Sequence, residues 1–183
     1  MFTNTLFSKQ MKFAKFHEIE IIDILNKECL MHIIKIEPSN LYQDLKESTD
    51  LVIDVKGGKI ATRIRRYSEK HYRDFTIRTG VYSKVDTEID KLRKGWCDWY
   101  FYAWLDRQNN KISSYILVDL KEVRYIGFFD KSYWITKQWK EEHNKTPNNT
   151  FIPIPVKSLD NHNCIVKYRL DSYLAEKLNI DYI

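Results

Sequence analysis

The stretch Ser48–Arg78, STDLVIDVKGGKIATRIRRYSEKHYRDFTIR, decides how this chain is expected to fold. Two short apolar runs, Leu51–Val55 and Ile60–Arg65, lie on either side of a Lys-Gly-Gly-Lys turn, and a glycine pair between two such runs is typical of a β-hairpin. Asp50 precedes the first run and Asp54 lies within it. We therefore predict a hairpin that carries carboxylates where it begins and a block of arginines where it ends.

The same stretch contains the positive charge of the chain. The net charge of the 183-residue protein is +5, whereas the window 56–79 alone carries +6. Local charge of this kind suits a polyanion such as nucleic acid, but it is equally typical of a hairpin kept soluble by its cations. The basic residues in the window are Lys56, Lys59, Arg63, Arg65, Arg66, Lys70, Arg73 and Arg78.

Hydrophobic periodicity predicts further elements on both sides of the hairpin. A first helix is expected over about 9–28 and a second one from Ser83, where Ser83 with Asp86 resembles a capping box and Gly95 is a natural stop. On this second helix, Glu88 and Lys91 have the spacing of an exposed ion pair. Further strands are expected at 30–36, 74–78, 98–105, 112–120 and 150–156.

Three of the later segments have distinctive compositions. The aromatic run DWYFYAWL, at 98–105, is typical of a strand buried on both faces. The strand at 150–156 contains two prolines, which cannot donate to a ladder, so an edge position is expected. The segment 131–142 predicts a basic, aromatic helix whose Trp134 and Trp139 are candidates for stacking on bases or binding a partner. A closing helix is expected within 166–178.

Together these elements predict one domain over residues 1–183, with a core at about 10–120 and a mixed C-terminal extension at 121–183. The fold class is α+β or α/β, with a mixed central β-sheet flanked by helices. No apolar run reaches the ~18–20 residues of a membrane span, and no secretory signal is apparent. The three cysteines are isolated and the five histidines scattered, so we expect free thiols, no zinc site and a cytoplasmic location.

The order of helix, strand, Asp-led hairpin, helix and strand resembles that of the PD-(D/E)XK superfamily, the restriction-endonuclease-like nucleases, over about residues 10–120. The resemblance implies a restriction-endonuclease-like core and Mg²⁺-dependent phosphodiester hydrolysis. In such sites carboxylates hold the metal, which activates a water and neutralises charge at the phosphate. The resemblance also implies that Asp50 is the first metal-binding aspartate and that Glu18 or Glu20, in His-Glu-Ile-Glu, is a helix glutamate that joins it.

The return strand departs from the family pattern, which has a Glu-x-Lys motif there. Ala61 and Arg63 occupy the positions of the acid and the lysine. An alanine cannot bind metal, and an arginine is a poor proton acceptor because it stays charged. Asp54-Val-Lys56 spells Asp-x-Lys on the first strand and is a candidate migrated motif, and Asp74 is another substitute acid.

Two functions from different classes follow. The first is a nuclease-like protein that binds DNA or RNA and hydrolyses phosphodiesters with Mg²⁺. The second is a non-catalytic interaction or inhibitor protein that reuses the fold and binds a protein or nucleoprotein partner. Its Lys-, Ile-, Asn- and Tyr-rich composition suits an AT-rich mobile element or phage. For the first function the catalytic candidates are Asp50, Asp54, Lys56 and Arg63, the nucleic-acid contacts are Lys59, Arg65, Arg66, Arg73 and Arg78, and the metal ligands are Asp50, Asp54, Glu18 and Glu20.

Overall fold

A computed structural model describes most of the chain. The described residues are 3–29, 33–38, 51–66, 74–81, 86–108, 110–144 and 149–178. Two of the predicted site residues, Asp50 and Arg73, lie outside them.

Within these ranges the chain forms six helices and nine strands. In chain order they are α1 (Thr3–Lys27), β1 (Ile33–Pro38), β2 (Leu51–Val55), β3 (Gly58–Arg65), β4 (Asp74–Val81), α2 (Glu88–Arg93), β5 (Trp99–Leu105), β6 (Ile112–Asp119), α3 (Leu120–Ile126), α4 (Lys131–Lys137), β7 (Glu142–Asn144), β8 (Asn149–Pro155), α5 (Val156–Asn161), β9 (Ile165–Arg169) and α6 (Ser172–Leu178).

A six-stranded mixed sheet has the order β1-β2-β3-β5-β6-β9. The pair β3 and β5 is parallel, and each other neighbouring pair in this sheet is antiparallel. Between β3 and β5, strand β4 leaves the central sheet and forms a second, antiparallel sheet in the order β4-β8-β7. The α+β class and the mixed central sheet flanked by helices are confirmed, and the second sheet was not predicted.

The central sheet is buried on both faces. On one face, α1 packs Ile21 and Leu25 into a cluster that includes Ile53 and Phe101. On the other face, Tyr100 and Tyr102 are among the residues that pack with the second sheet and the later helices. A strand covered on both sides must be apolar throughout, which explains the sequence of β5. The prediction that this aromatic run lies in the core is confirmed.

The predicted start of the second helix is wrong. Helix α2 begins at Glu88, with Thr87 as its N-cap and Asp90 completing the capping box. The same pattern, a hydroxyl residue followed three positions later by an aspartate, occurs at Ser83 and again at Thr87, so the sequence offered two starts. The predicted stop is confirmed, because Gly95 follows the helix with a φ of +77°.

The edge position predicted for β8 is also wrong, because β8 lies between β4 and β7. Among the described residues, β7 pairs with 149–151, so within the described part of the chain Pro153 and Pro155 have a neighbouring strand on one side, that of β4. The missing N–H groups of the two prolines therefore interrupt no hydrogen-bond ladder on the β7 side. The rule that proline belongs on an unpaired strand edge holds for the second half of β8, at 152–155.

Gly58 is required where the β2–β3 turn meets the start of β5. The backbone N–H of Lys59 donates to Asp98 Oδ2 at 3.0 Å, and the N–H of Asp98 donates to the carbonyl of Lys59 at 2.9 Å. A Cβ on Gly58 would collide with that Asp98 carboxylate and would lie 2.8 Å from the Trp99 ring. Only glycine leaves room for this contact between the hairpin and β5.

We predict that Gly58→Ala lowers the free energy of unfolding by about 1–3 kcal/mol, because the new methyl group overpacks a tight contact. The control is Lys56→Ala in the same turn, which removes only an exposed side chain and is expected to stay within about 0.5 kcal/mol of the wild type. Denaturant unfolding measures both. Equal stability of the two variants would contradict the prediction.

Candidate functional site

Asp54, the described carboxylate of the hairpin, lies in β2 opposite Lys59. Its Oδ1 is 3.8 Å from Lys59 Nζ, and its side chain is 33% exposed. Strand alternation puts its partner Lys59 on the same face of β3 as Ala61 and Arg63. Lys56, the other member of the candidate Asp-x-Lys motif, is exposed in the turn.

Arg63 points into the protein and forms a buried ion pair with Glu88. Arg63 Nη2 donates to both carboxylate oxygens of Glu88 at 2.8 Å, and the two side chains are 12% and 2% exposed. Tyr100 Oη and the backbone N–H of Arg78 also donate to this carboxylate, each at 2.8 Å. Arg63 Nη1 donates to the carbonyl of Thr76 at 2.7 Å. One ion pair thus joins β3, β4, α2 and β5.

The ionisation of this cluster follows from its burial. Burial by itself lowers the pKa of Arg63, but the charge and hydrogen bond of Glu88 act together with Tyr100 and Tyr102, and the pKa of the guanidinium is raised. Burial raises the pKa of Tyr100 well above its usual value, so its hydroxyl stays protonated and acts as a donor to Glu88. Arg63 is therefore a permanent cation in this site, unable to take a proton from water.

Arg65, two residues further along β3, also faces this polar layer. Its Nε donates to Tyr102 Oη at 2.6 Å, and its Nη2 bonds to Thr76 Oγ1. The Thr76 and Tyr102 hydroxyl oxygens are 3.0 Å apart. Arg65 is partly buried, and its polar contacts hold β3 against β4 and β5.

The described arginines of the window 56–79 therefore form no continuous basic surface. Arg78 is half-buried. The exposed cations Lys56 and Lys59 lie at the β2–β3 turn, whereas the exposed Arg66 lies at the other end of β3, about 23 Å from Lys59 by strand geometry. The Arg66 guanidinium lies 5.3 Å from the centre of the Phe13 ring.

The helix glutamates lie away from the hairpin carboxylate. Glu20 Oε1 accepts from the backbone N–H of Ile112 at 2.8 Å, and Glu20 Oε2 is 3.3 Å from His17 Nδ1. These contacts place Glu20 beside β6, three strand spacings or about 14 Å across the sheet from β2. Glu18 is half-exposed on the same helix. The described residues contain no group of three or more His, Cys, Asp or Glu side chains that could hold a metal ion.

A groove of about 530 Å³ runs between α1 and the β6–β9 side of the central sheet. At its side Arg169 Nη1 is 2.5 Å from Glu28 Oε1, and Tyr115 Oη donates to Glu28 Oε2 at 3.0 Å. Phe16 and Ile19, on the rim, are 70% and 75% exposed. The residues that line the groove are Phe16, Ile19, Glu20, Asp23, Ile24, Lys27, Glu28, Lys111 and Arg169.

Two side chains have roles that the sequence interpretation assigned wrongly. Glu88 was expected in an exposed pair with Lys91, but it is buried and binds Arg63. Trp134, a candidate for stacking on a ligand, is buried, and its Nε1 donates to the carbonyl of Phe128 at 2.7 Å. The available signal for the Arg63–Glu88 contact was strand parity, because Arg63 shares a face of β3 with the apolar Ala61.

Comparison with known proteins found no match to a family model, to a curated protein or to a solved structure. Among the described helices, none is both long and apolar enough to cross a membrane.

We predict that Arg63→Ala lowers the free energy of unfolding by about 3–5 kcal/mol, because it leaves the buried Glu88 carboxylate without its cation. Glu88→Gln should destabilise the protein in the same way, by stranding Arg63. The double variant should lose less than the sum of the two single variants, since each single change already breaks the pair. Lys94→Ala, which removes one exposed ion pair with Asp86, is the control and should cost about 1 kcal/mol or less.

Denaturant unfolding of the four variants and the wild type measures this coupling. Additive losses in the double variant would show that the two side chains stabilise the protein independently.

Proposed function

We propose that this protein is a non-catalytic binding protein that keeps a nuclease-like layout. Apart from β4, which lies between β3 and α2 and joins the second sheet, the order is α1, β1, β2, β3, α2, β5. This order, with a three-strand antiparallel unit and β5 parallel to β3, supports the resemblance to the restriction-endonuclease-like nucleases. The side chains on β3, however, differ from those that a metal-dependent nuclease needs for catalysis.

The observation that carries the proposal is the closure of the inward face of β3. Ala61 is fully buried among the residues that pack with the second sheet, and the guanidinium of Arg63 is engaged by Glu88. Metal-dependent hydrolysis requires carboxylates that reach a metal and a group that orients or deprotonates the attacking water. The strand that would supply both of these in a nuclease supplies a methyl group and a neutralised cation.

The surface charges favour a protein over a polyanion as the partner. Two of the exposed lysines near the β2–β3 turn face carboxylates: Lys59 lies 3.8 Å from Asp54, and Lys121 lies 3.5 Å from Asp98. In the groove along α1, the exposed apolar side chains of Phe16 and Ile19 lie next to charges of both signs, and exposed apolar side chains that stand together mark interaction sites. The groove is therefore the described surface best suited to binding.

Magnesium-dependent hydrolysis is the second candidate function. It is favoured by the position of Asp50, which directly precedes β2 as the resemblance requires, and by the partial exposure of Asp54. An assay that removes one carboxylate separates the two candidates.

We predict that the wild type and Asp50→Asn give the same background cleavage of single- and double-stranded DNA and RNA with Mg²⁺ or Mn²⁺. Asp50→Asn removes the charge that would hold the metal and keeps the size of the side chain. Glu122→Gln, an exposed carboxylate of α3, is the control for a general loss of negative charge. Cleavage that is lost in Asp50→Asn and kept in Glu122→Gln would establish the nuclease and reject the non-catalytic proposal.

We also predict that nucleic-acid binding is weak and depends little on salt. Because the inward-facing arginines leave at most two neighbouring exposed cations, Lys56 and Lys59, at the hairpin turn, the slope of log K against log salt should correspond to about two released ions or fewer. Fluorescence anisotropy with DNA and RNA oligonucleotides over a salt series measures the slope. A steep slope that is reduced by Lys56→Ala together with Lys59→Ala would instead identify a polyanion site at the hairpin turn.

A further inference from the structure

Helix α1 has an exposed apolar stripe opposite its buried one. Ile21, Ile24 and Leu25 pack against the central sheet, whereas Phe16 and Ile19 are 70% and 75% exposed. These two are spaced i, i+3 and so lie next to each other on the outer face of the helix. Large apolar side chains that stand together on a surface mark an interaction site more often than scattered ones do.

The charges beside this stripe are balanced. The adjoining groove is lined by three carboxylates, those of Glu20, Asp23 and Glu28. It is also lined by three cations, those of Lys27, Lys111 and Arg169. Such a surface attracts neither a polyanion nor a polycation, but it complements a partner with the same balanced set, as a second copy of the chain would present.

We propose that this face of α1 is a homodimer interface, in which α1 packs antiparallel against α1 of a second copy. The two-fold axis lies between positions 17 and 18, so that position i of one chain faces position 35 − i of the other. Phe16 then packs against Ile19 of the second copy, and the contact occurs twice. The positions 12, 16, 19 and 23 have the 4-3-4 spacing of an antiparallel coiled-coil seam.

The same register places opposite charges next to the apolar centre. Asp23 lies opposite position 12, where the sequence has a lysine. A shift of α1 by one turn would place Phe16 opposite Asp23 and separate the apolar pairs. The sequence of α1 therefore favours one register of the two helices, in addition to providing an exposed apolar surface.

The first test is the oligomeric state of the full chain by sedimentation velocity at protein concentrations from about 1 to 200 µM, since a small interface gives a concentration-dependent dimer. The variant Phe16→Glu with Ile19→Glu should be monomeric throughout, because it places four carboxylates at the centre of the interface. The matched control is Tyr125→Glu with Ile135→Glu, at positions that are 88% and 77% exposed on other helices, and it should dimerise like the wild type.

Circular dichroism shows whether the variants stay folded, as expected from the exposure of all four positions. A wild type that remains monomeric over the whole range would overturn the proposal. So would a dimer that Phe16→Glu with Ile19→Glu leaves intact.

The second test addresses the register. In a Cys29→Ser background, whose remaining Cys97 and Cys164 are buried, one tagged chain carries Phe16→Cys and a second chain carries Ile19→Cys. Under mild oxidation the mixed pair should cross-link faster than either chain with itself, since only positions 16 and 19 come within disulfide distance. Faster cross-linking of like with like would show a parallel pair of helices and would overturn the proposed arrangement.

Discussion

The buried ion pair between Arg63 and Glu88 is the contact on which the two-layer structure depends. It joins the central strands β3 and β5 to α2 and to the backbone of β4, so it fixes where the second sheet lies over the first. A buried pair of this kind contributes little net stability compared with an apolar replacement, but losing one partner is costly. Its effect is positional: β4 can occupy one place only, because its carbonyl at Thr76 and its N–H at Arg78 meet fixed partners. The same contact withdraws the hairpin's central arginine from any ligand, so the architecture and the proposed loss of catalysis have one cause.

The elements that sequence reasoning predicted correctly are those with local and continuous signals. The β2–β3 hairpin has its glycine turn, β5 has an unbroken apolar run, and α1 has a helical stripe long enough to exceed chance. The second sheet had no comparable signal, because a five-residue strand such as DFTIR has the same composition whichever sheet it joins. The partner of β4 lies about 70 residues further along the chain in β8. Only the tertiary structure decides that pairing, and with it the interior position of β8.

The candidate site was harder to predict because sequence gives the charge of a side chain but not its direction. Eight cations in one window indicate a basic surface only if they face water, and Arg63 and Arg65 face the second sheet instead. Likewise, Glu88 and Lys91 have the spacing of a helix surface pair, yet the first turn of α2 is pressed against β3 and β4, where Glu88 finds a stronger partner. Strand alternation gave part of the answer, because Arg63 lies on the same face of β3 as the apolar residue Ala61, which is buried. Nothing in the sequence indicated that β4 and β8 pair into a second sheet, and it is this sheet that covers the face of β3 on which Arg63 lies.

The distant pairing of β4 also sets the order in which the molecule can be completed during its synthesis. Strand β4 leaves the ribosome long before β8, and at about 5–20 residues per second the delay is on the order of 4–14 s. Throughout that interval the apolar face of β3 and β5, with Tyr100 and Tyr102, lacks its cover, and β4 presents open edges. Nascent chains of this protein are thus exposed to chaperones and to misassembly at one predictable stage. A chain that terminated before β8 would lack the central strand of the second sheet, so β4 would be without its partner strand and the apolar face of β3 and β5 would stay uncovered.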